Sequence, residues 1–208
     1  PRLAASSFII GDNIYVVGGQ NRAIMATNVN EVYDTKTNTW SQKAEYPILA
    51  DAMFGFAANG IGYCAGGLNE NSLPIDDVYY YTPSTNTWTK TTSLPERLAS
   101  MTSTSIGDYG YCISGITAVG GIGDKIHRFD TTSQEWTVLT TIPVPRNSAV
   151  VETIGTKLYI IGGSDISGNS FGETQIYDTS TNTWSEGKAM PTPRGFAGGF
   201  KDTRNIYV

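Results

Sequence analysis

Few side chains in this sequence could do chemistry, and their spacing limits what kind. Glu96 stands beside Arg97, Glu173 lies in a later loop, and His127 is the single histidine. General acid–base work needs a titratable pair converging on one pocket; these are the nearest candidates, although loop carboxylates are ordinarily solvated. Arg2, Arg146 and Arg194 share one position of a 48-residue period, which Ala50 and Leu98 fill in between, with Arg97 one place off. A guanidinium grips a carboxylate through a bidentate fork. The competing structural reading is that each arginine fastens a loop carbonyl or an acidic side chain of a neighbouring unit. Arg22, Asn69, Asp165 and Phe171 break the repeat and complete the set of ligand-binding candidates. Cys64 and Cys112 each close a Gly-Tyr-Cys triplet, which reads as two buried thiols. One His and two Cys do not make a metal site by spacing. The Gly-rich run 118–123 does not lead from a strand into a helix, and no nucleophile-elbow, phosphate-loop or zinc-protease motif occurs. No catalytic residue, metal or cofactor is assigned.

The period that places these residues is set by tryptophan. Trp40, Trp88, Trp136 and Trp184 stand 48 residues apart, as do Gly19, Gly67, Gly115 and Gly163. Tyr33, Tyr81, Phe129 and Tyr177 keep the same step. A chain with such self-similarity must be read as a repeat array. The units are 1–48, 49–96, 97–144 and 145–192, with a partial fifth, 193–208, in which Pro193-Arg194 echoes Pro1-Arg2. All belong to one domain. The net charge of −5 and pI near 4.8, without any basic run, argue against nucleic acid. No apolar stretch approaches the roughly 20 residues a membrane helix needs.

One period reads as four short strands, A to D. Leu3 to Ile10 is small and apolar, Gly11-Asp12-Asn13 is a turn, and Ile14 to Val17 ends at Gly18-Gly19. Val29 to Tyr33 alternates with period two. Asp34 to Asn38 is turn chemistry, and Thr39 to Gln42 is the last strand. No stretch has sustained helical spacing. A four-stranded sheet cannot bury both faces alone, so the sheets must stack around an axis. Small residues on strand A suit convergence at that axis. The Trp and Tyr or Phe of the outer strands fill the gaps where sheets diverge.

Small-residue strand, Tyr-Val-Val-Gly-Gly, Val-Tyr-Asp and Thr-Asn-Thr-Trp together resemble the kelch repeat of β-propellers. The resemblance covers all four periods and the partial fifth. It implies an all-β, kelch-type β-propeller of four-stranded antiparallel blades. It assigns structural roles to Gly18, Gly19, Gly66, Gly67, Gly115, Gly162 and Gly163, to Tyr33, Tyr81, Phe129 and Tyr177, and to the four tryptophans. Ser114 stands for the first Gly of the third unit, Thr82 for the Asp after Tyr81, and Phe129 for Tyr, which should weaken local turns or hydrogen bonds. In protein-binding kelch domains arginines near the D–A junction read acidic or phosphorylated peptides, so the resemblance implies such a role for Arg2, Arg146 and Arg194. Copper-radical oxidases of the fold need two His, and this chain has one. The sialic-acid mutarotase type implies the alternative, a carbohydrate-directed enzyme at the propeller mouth.

Antiparallel order puts the A–B and C–D turns on one end and the B–C and D–A connections on the other. The second end carries longer segments that differ between units, and rigid scaffolds display function on such loops. The leading expectation is a non-catalytic binding or scaffold module for a protein or glycan ligand. Four units and a spare strand A also suggest an incomplete propeller that associates with further blades or another chain. The composition resembles that of secreted or surface-exposed prokaryotic propellers.

Overall fold

The computed structural model describes residues 1–21 and 26–208. Among them there is no helix. Four antiparallel sheets follow one another, each with its strands in order A-B-C-D. Sheet 1 is Ser6–Ile10, Asn13–Val17, Asn30–Asp34 and Thr39–Gln42. Sheet 2 is Phe54–Ala58, Ile61–Ala65, Val78–Thr82 and Thr87–Lys90. Sheet 3 is Thr102–Ile106, Tyr109–Ile113, Lys125–Asp130 and Glu135–Thr141, and sheet 4 is Val150–Ile154, Lys157–Ile161, Thr174–Asp178 and Thr183–Gly187. The partial fifth unit contributes Phe200–Lys201 paired with Ile206–Tyr207. The sheets are the blades of a β-propeller.

Each strand A packs beside the strand A of the next sheet. Their small residues leave an axial cavity of about 490 Å³, lined by Ser7, Gly55, Ser103, Val151 and Gly199 among others. Outward from the axis the sheets diverge, and three apolar cores fill the three gaps. Phe8, Tyr15, Tyr46 and Tyr81 form the first, Phe56, Tyr63 and Phe129 the second, and Tyr111, Leu158 and Tyr177 the third. Cys64 and Cys112 are buried in two of these cores as free thiols. Burial pushes the Cys64 pKa up to about 12, so it packs as a small apolar group.

The tryptophans do more than fill space. The Trp88 indole N–H donates to the Ala44 carbonyl at 3.0 Å, and Trp136 to Thr92 at 3.0 Å, each on the segment leaving the preceding sheet. Trp184 donates to the Thr140 hydroxyl at 3.3 Å. Trp40 has no acceptor among the described residues and is 60% exposed. The C–D turns are closed by Asp34, Asp130 and Asp178, whose carboxylates accept backbone N–H groups two residues on. Thr82 lacks that carboxylate, and its turn closes through Asn86 N–H to the Pro83 carbonyl at 3.3 Å. Phe129 lacks the hydroxyl that Tyr33, Tyr81 and Tyr177 donate to Asn38, Asn86 and Asn182. At the matching position Gln134 accepts from Thr91 across the sheet gap at 2.8 Å, as Asn86 accepts from the Ala44 N–H across its own gap at 2.9 Å, so this departure loses the internal bond and keeps the one between sheets.

A single indole bond should therefore be measurable. Replacing Trp88 by Phe is expected to lower unfolding free energy by about 1–3 kcal/mol, through the lost indole bond and the lost ring volume, while the Asn30 amide still donates to the Ala44 carbonyl. Trp40→Phe should change it by less than about 0.5 kcal/mol. Urea denaturation of both variants checks the contrast.

Candidate functional site

At the B–C and D–A end the two kinds of connection are knitted together. Ala50–Asp51 pairs with Leu68–Asn69, and Leu98–Ala99 with Ile116–Thr117. Single bridges join Leu3 to Gln20 and Asn147 to Ser164. Inside this belt lies a ladder made of backbone alone. Ala4, Ala52, Ser100, Ser148 and Phe196 share one phase of the period and all have positive φ, between 50° and 55°. Each N–H in the series donates to the carbonyl of the residue one period before: Ala52 to Ala4 at 2.9 Å, Ser100 to Ala52 at 3.0 Å, Ser148 to Ser100 at 3.4 Å and Phe196 to Ser148 at 3.0 Å. The ladder rims a mouth cavity of about 170 Å³, floored by Met53 and Met101. Phe196 is 81% exposed at that rim.

The B–C loops differ in sequence but share one geometry. In sheets 2, 3 and 4 the N–H of Asn69, Thr117 or Asp165 donates to the carbonyl four residues on, at 2.9 to 3.0 Å. Ser72, Gly120 and Gly168 take the positive-φ corner. The side chain at the first position then caps the loop. Asn69 Oδ1 accepts from the Asn71 and Leu73 N–H groups, Thr117 Oγ1 from Gly121, and Asp165 Oδ1 from Ser167 and Asn169. Asn69 and Asp165 thus do not break the repeat; they occupy one phase of it and serve as loop caps. The Asn169 side chain and backbone hold the Asp165 carboxyl below the usual carboxylate range. What varies is the tip. There Val119 is 94% and Ile166 58% exposed, and Leu73, at the closing position of its loop, is 59% exposed.

The arginines divide by surroundings. Arg146 is buried; its guanidinium donates to the carbonyls of Val144, Gly162 and Glu173 and lies over the Phe171 ring at 4.6 Å. Arg2 repeats this in sheet 1, donating to Val16 and Val29 and pairing with Glu31 at 2.9 Å. In these positions both arginines bind main-chain carbonyls rather than face a ligand. Phe171 is the half-buried floor under Arg146. Arg194 is exposed, and among the described residues its guanidinium donates only to the Thr192 carbonyl. Arg97 is mostly exposed, 3.8 Å from Asp76. Arg22 lies outside the described residues. Ser114, in place of the third unit's Gly, keeps the positive φ and adds two bonds, donating to Gly123 at 2.6 Å and accepting from the Arg146 N–H at 3.2 Å. Its substitution reinforces the junction.

The acid–base candidates do not converge. His127 is buried on strand C of sheet 3, and its Nε2 donates to Glu96 Oε1 at 2.8 Å. Its Nδ1 is buried without a partner. Burial lowers the imidazole pKa, and the bond from Glu96 opposes that only in part. Glu173 is exposed and, with Glu186, lines a separate pocket of about 190 Å³ on sheet 4. The pair His127–Glu96 was not foreseeable from motifs. Its signal lay in the period: the Gln175 side-chain oxygen, one period after His127, accepts from the N–H of Val144, one period after Glu96, at 3.1 Å.

Comparison with known proteins agrees with this architecture. The family profile described as the kelch motif matches residues 1–45, 59–95 and 145–191. The solved structure of YjhT superposes with a TM-score of 0.82 at 22% identity, covering 96% of this chain and 69% of that one. At that identity the likeness speaks for the fold alone. No curated protein matches the chain.

Two measurements follow from the site. Arg146→Ala is expected to cost about 2–4 kcal/mol of stability, and Arg146→Lys nearly as much because an ammonium cannot span the carbonyls; Arg194→Ala should stay within about 0.5 kcal/mol. Unfolded, the histidine titrates near 6.5; folded, it takes its proton only at lower pH. Stability is therefore full above about pH 6.5 and falls as acid is added below it. With one histidine in the chain, thermal scans between about pH 7 and 5.5 should show a falling midpoint. His127→Gln should flatten that slope.

Proposed function

Because the chain belongs to the kelch-repeat family, we propose that it is a non-catalytic binding module that reads a protein surface with its B–C loop tips, backed by the D–A junctions. The kelch propeller fold supports a binding or scaffold role in general. The observation that supports the finer reading is the set of three loops with one backbone geometry and three different exposed tips: Glu70-Asn71, Ala118-Val119 and Ile166-Ser167. Caps and ladder hydrogen bonds hold the loops before any ligand arrives, which reduces the ordering cost of association. Exposed Leu73, Val119 and Ile166 favour an apolar patch on a protein partner. Among the arginine candidates, Arg97 and Arg194 keep the exposure needed to meet an acidic side chain at the rim.

The glycan reading has less support. Sugar stacking needs free aromatic faces; Tyr81, Phe129 and Tyr177 are consumed by sheet packing and Phe171 lies under Arg146, which leaves Phe196 as the exposed ring at the mouth rim. The mutarotase-like alternative needs a converging titratable pair at the mouth, and Glu96 is instead bonded to a buried histidine.

The test is selection of peptide ligands against the intact chain by display, followed by titration. Val119→Asp with Ile166→Asp should weaken the selected ligands by about tenfold or more, the scale of 1.4 kcal/mol. Ser84→Asp with Ser133→Asp, at the opposite end, should leave them unchanged. Saturable binding on a glycan array that ignores the loop changes would overturn the protein reading.

A further inference from the structure

Two buried sulfurs touch in the core between sheets 2 and 3. The Cys112 thiol, on strand B of sheet 3, donates to Met101 Sδ at 3.2 Å. Directly opposite Cys112 on strand C stands His127. Antiparallel partners set their side chains on one face, with Cβ atoms about 4.5–5.5 Å apart. His127 is 1% exposed. Its Nε2 is committed to Glu96 Oε1 at 2.8 Å, so that nitrogen carries the proton of the neutral ring and Nδ1 keeps its lone pair. Nδ1 is buried with no hydrogen-bond partner, and an orphaned buried nitrogen calls for an explanation. Burial, and then the nearby Glu96 charge, push the Cys112 thiol pKa well above its ordinary value, which places the carboxylate close to the sulfur as well. A carboxylate on one ring nitrogen with the other left bare is the arrangement that orients a histidine toward a metal.

The repeat supplies its own comparison. Sheet 2 has the same Gly-Tyr-Cys triplet and the same methionine, Cys64 and Met53, in one core. There Tyr79 stands opposite the cysteine, and Ile48 holds the phase of Glu96. The Cys64 thiol turns to the Ser6 hydroxyl at 3.7 Å, and Tyr79 packs edge-on against Tyr46. In sheet 4 the phases of Cys112, Met101 and His127 hold Ile160, Ala149 and Gln175. Sheet 3 alone among the four combines thiol, thioether, imidazole and carboxylate. We propose that Cys112 Sγ, Met101 Sδ and His127 Nδ1 form a site for one copper(I) ion, with Glu96 orienting the histidine. No group of three His, Cys, Asp or Glu converges among the described residues, so the third ligand is the thioether. Thiolate and thioether sulfur select Cu(I), whereas a structural zinc site takes four ligands from Cys, His and carboxylates. Binding replaces the hydrogen between the two sulfurs. The Cys112 S–H bond breaks, the proton leaves to solvent, a copper–sulfur bond forms, and copper keeps its oxidation state. One thiolate balances one positive charge, so the ion adds no net charge to the core. Metal–sulfur bonds of about 2.3 Å spread two sulfurs to about 4 Å at a trigonal ion, a shift that the flexible Met101 side chain accommodates. Met101 also floors the mouth cavity, which gives the ion a way in. The site is independent of the loop-face reading.

The test is anaerobic titration of the intact, reduced chain against the coloured bicinchoninate complex of copper(I). The unaltered chain should withdraw one equivalent and show a thiolate-to-copper absorption band in the near ultraviolet. Zinc(II) should neither bind there nor compete. Cys112→Ser and Met101→Leu each remove a ligand and should weaken binding by more than about tenfold, the least that losing an outer-shell partner costs. Glu96→Gln leaves all three ligands and should weaken it by about tenfold. Cys64→Ser should keep the full equivalent and the band. Met101→Leu conserves core volume, so it decides the matter if Cys112→Ser does not fold. A folded, unaltered chain that takes no copper, equal losses in Cys64→Ser and Cys112→Ser, unchanged affinity in Met101→Leu, or zinc held as tightly as copper would overturn the site.

Discussion

The bond from an indole to the chain 44 residues behind it is the constraint on which the rest depends. A four-stranded sheet of five-residue strands cannot bury both faces, so its stability is that of its contacts with neighbours. By donating to the segment that leaves the previous sheet, Trp88 and Trp136 fix where that segment lies. That segment becomes the D–A junction. Its position sets the backbone ladder from Ala4 to Phe196, and the ladder sets the root of each B–C loop. Packing at the rim is in this way transmitted to the geometry of the mouth.

The ladder is held against local preference. A non-glycine residue at positive φ carries a cost of roughly 1–2 kcal/mol, and Phe196 is an unfavourable residue for it. The strained conformation persists because each N–H from Ala52 onward meets a carbonyl one period back, and because the flanking bridges leave no alternative path. The capping side chains of Asn69, Thr117 and Asp165 do the same for the loops. Among the described residues of this end, the ladder and the loops of sheets 2, 3 and 4 are tied by hydrogen bonds except at the tips. That division suits a recognition surface, where a fixed frame presents changeable side chains.

Much of the fold was legible in the sequence because the period repeats at every level. Turn residues, small strand A, and the aromatic pair on strands C and D all point to the same stacking. The gathering of the B–C and D–A connections at one end was legible from antiparallel order alone. The site was legible only where a role belongs to a side chain. Arg2 and Arg146 share a phase, which suggests a common tie, but their acceptors are main-chain carbonyls, and a carbonyl leaves no mark in a sequence. Asn69 and Asp165 were misread as irregular because their neighbours change. The cap is a property of one oxygen at one phase, and Asn, Thr and Asp all supply it. The His127–Glu96 pair joins a strand to a linker 31 residues earlier, a separation that no local motif spans.

Repeats within one chain act as parallel trials of a single site, and they separate two kinds of variation. Some changes are compensated. Where Tyr becomes Phe129, Asn becomes Gln134, whose side-chain oxygen still bonds across the gap without the lost hydroxyl. Where Phe gives way to Thr104, glycine gives way to Leu158. Where glycine becomes Ser114, the hydroxyl finds two partners. In each case a second residue or group absorbs the change, as volume and hydrogen-bond balance require in a packed interior. At the loop tips nothing absorbs it. Glu70-Asn71, Ala118-Val119 and Ile166-Ser167 replace one another on an unchanged backbone with no partner shifting in response. Compensated variation marks packing, whereas variation without compensation is tolerated only where a side chain meets solvent or a ligand. By that criterion unabsorbed variation is concentrated at the tips, whereas Arg2 and Arg146, held on main-chain carbonyls, belong to the frame beneath them.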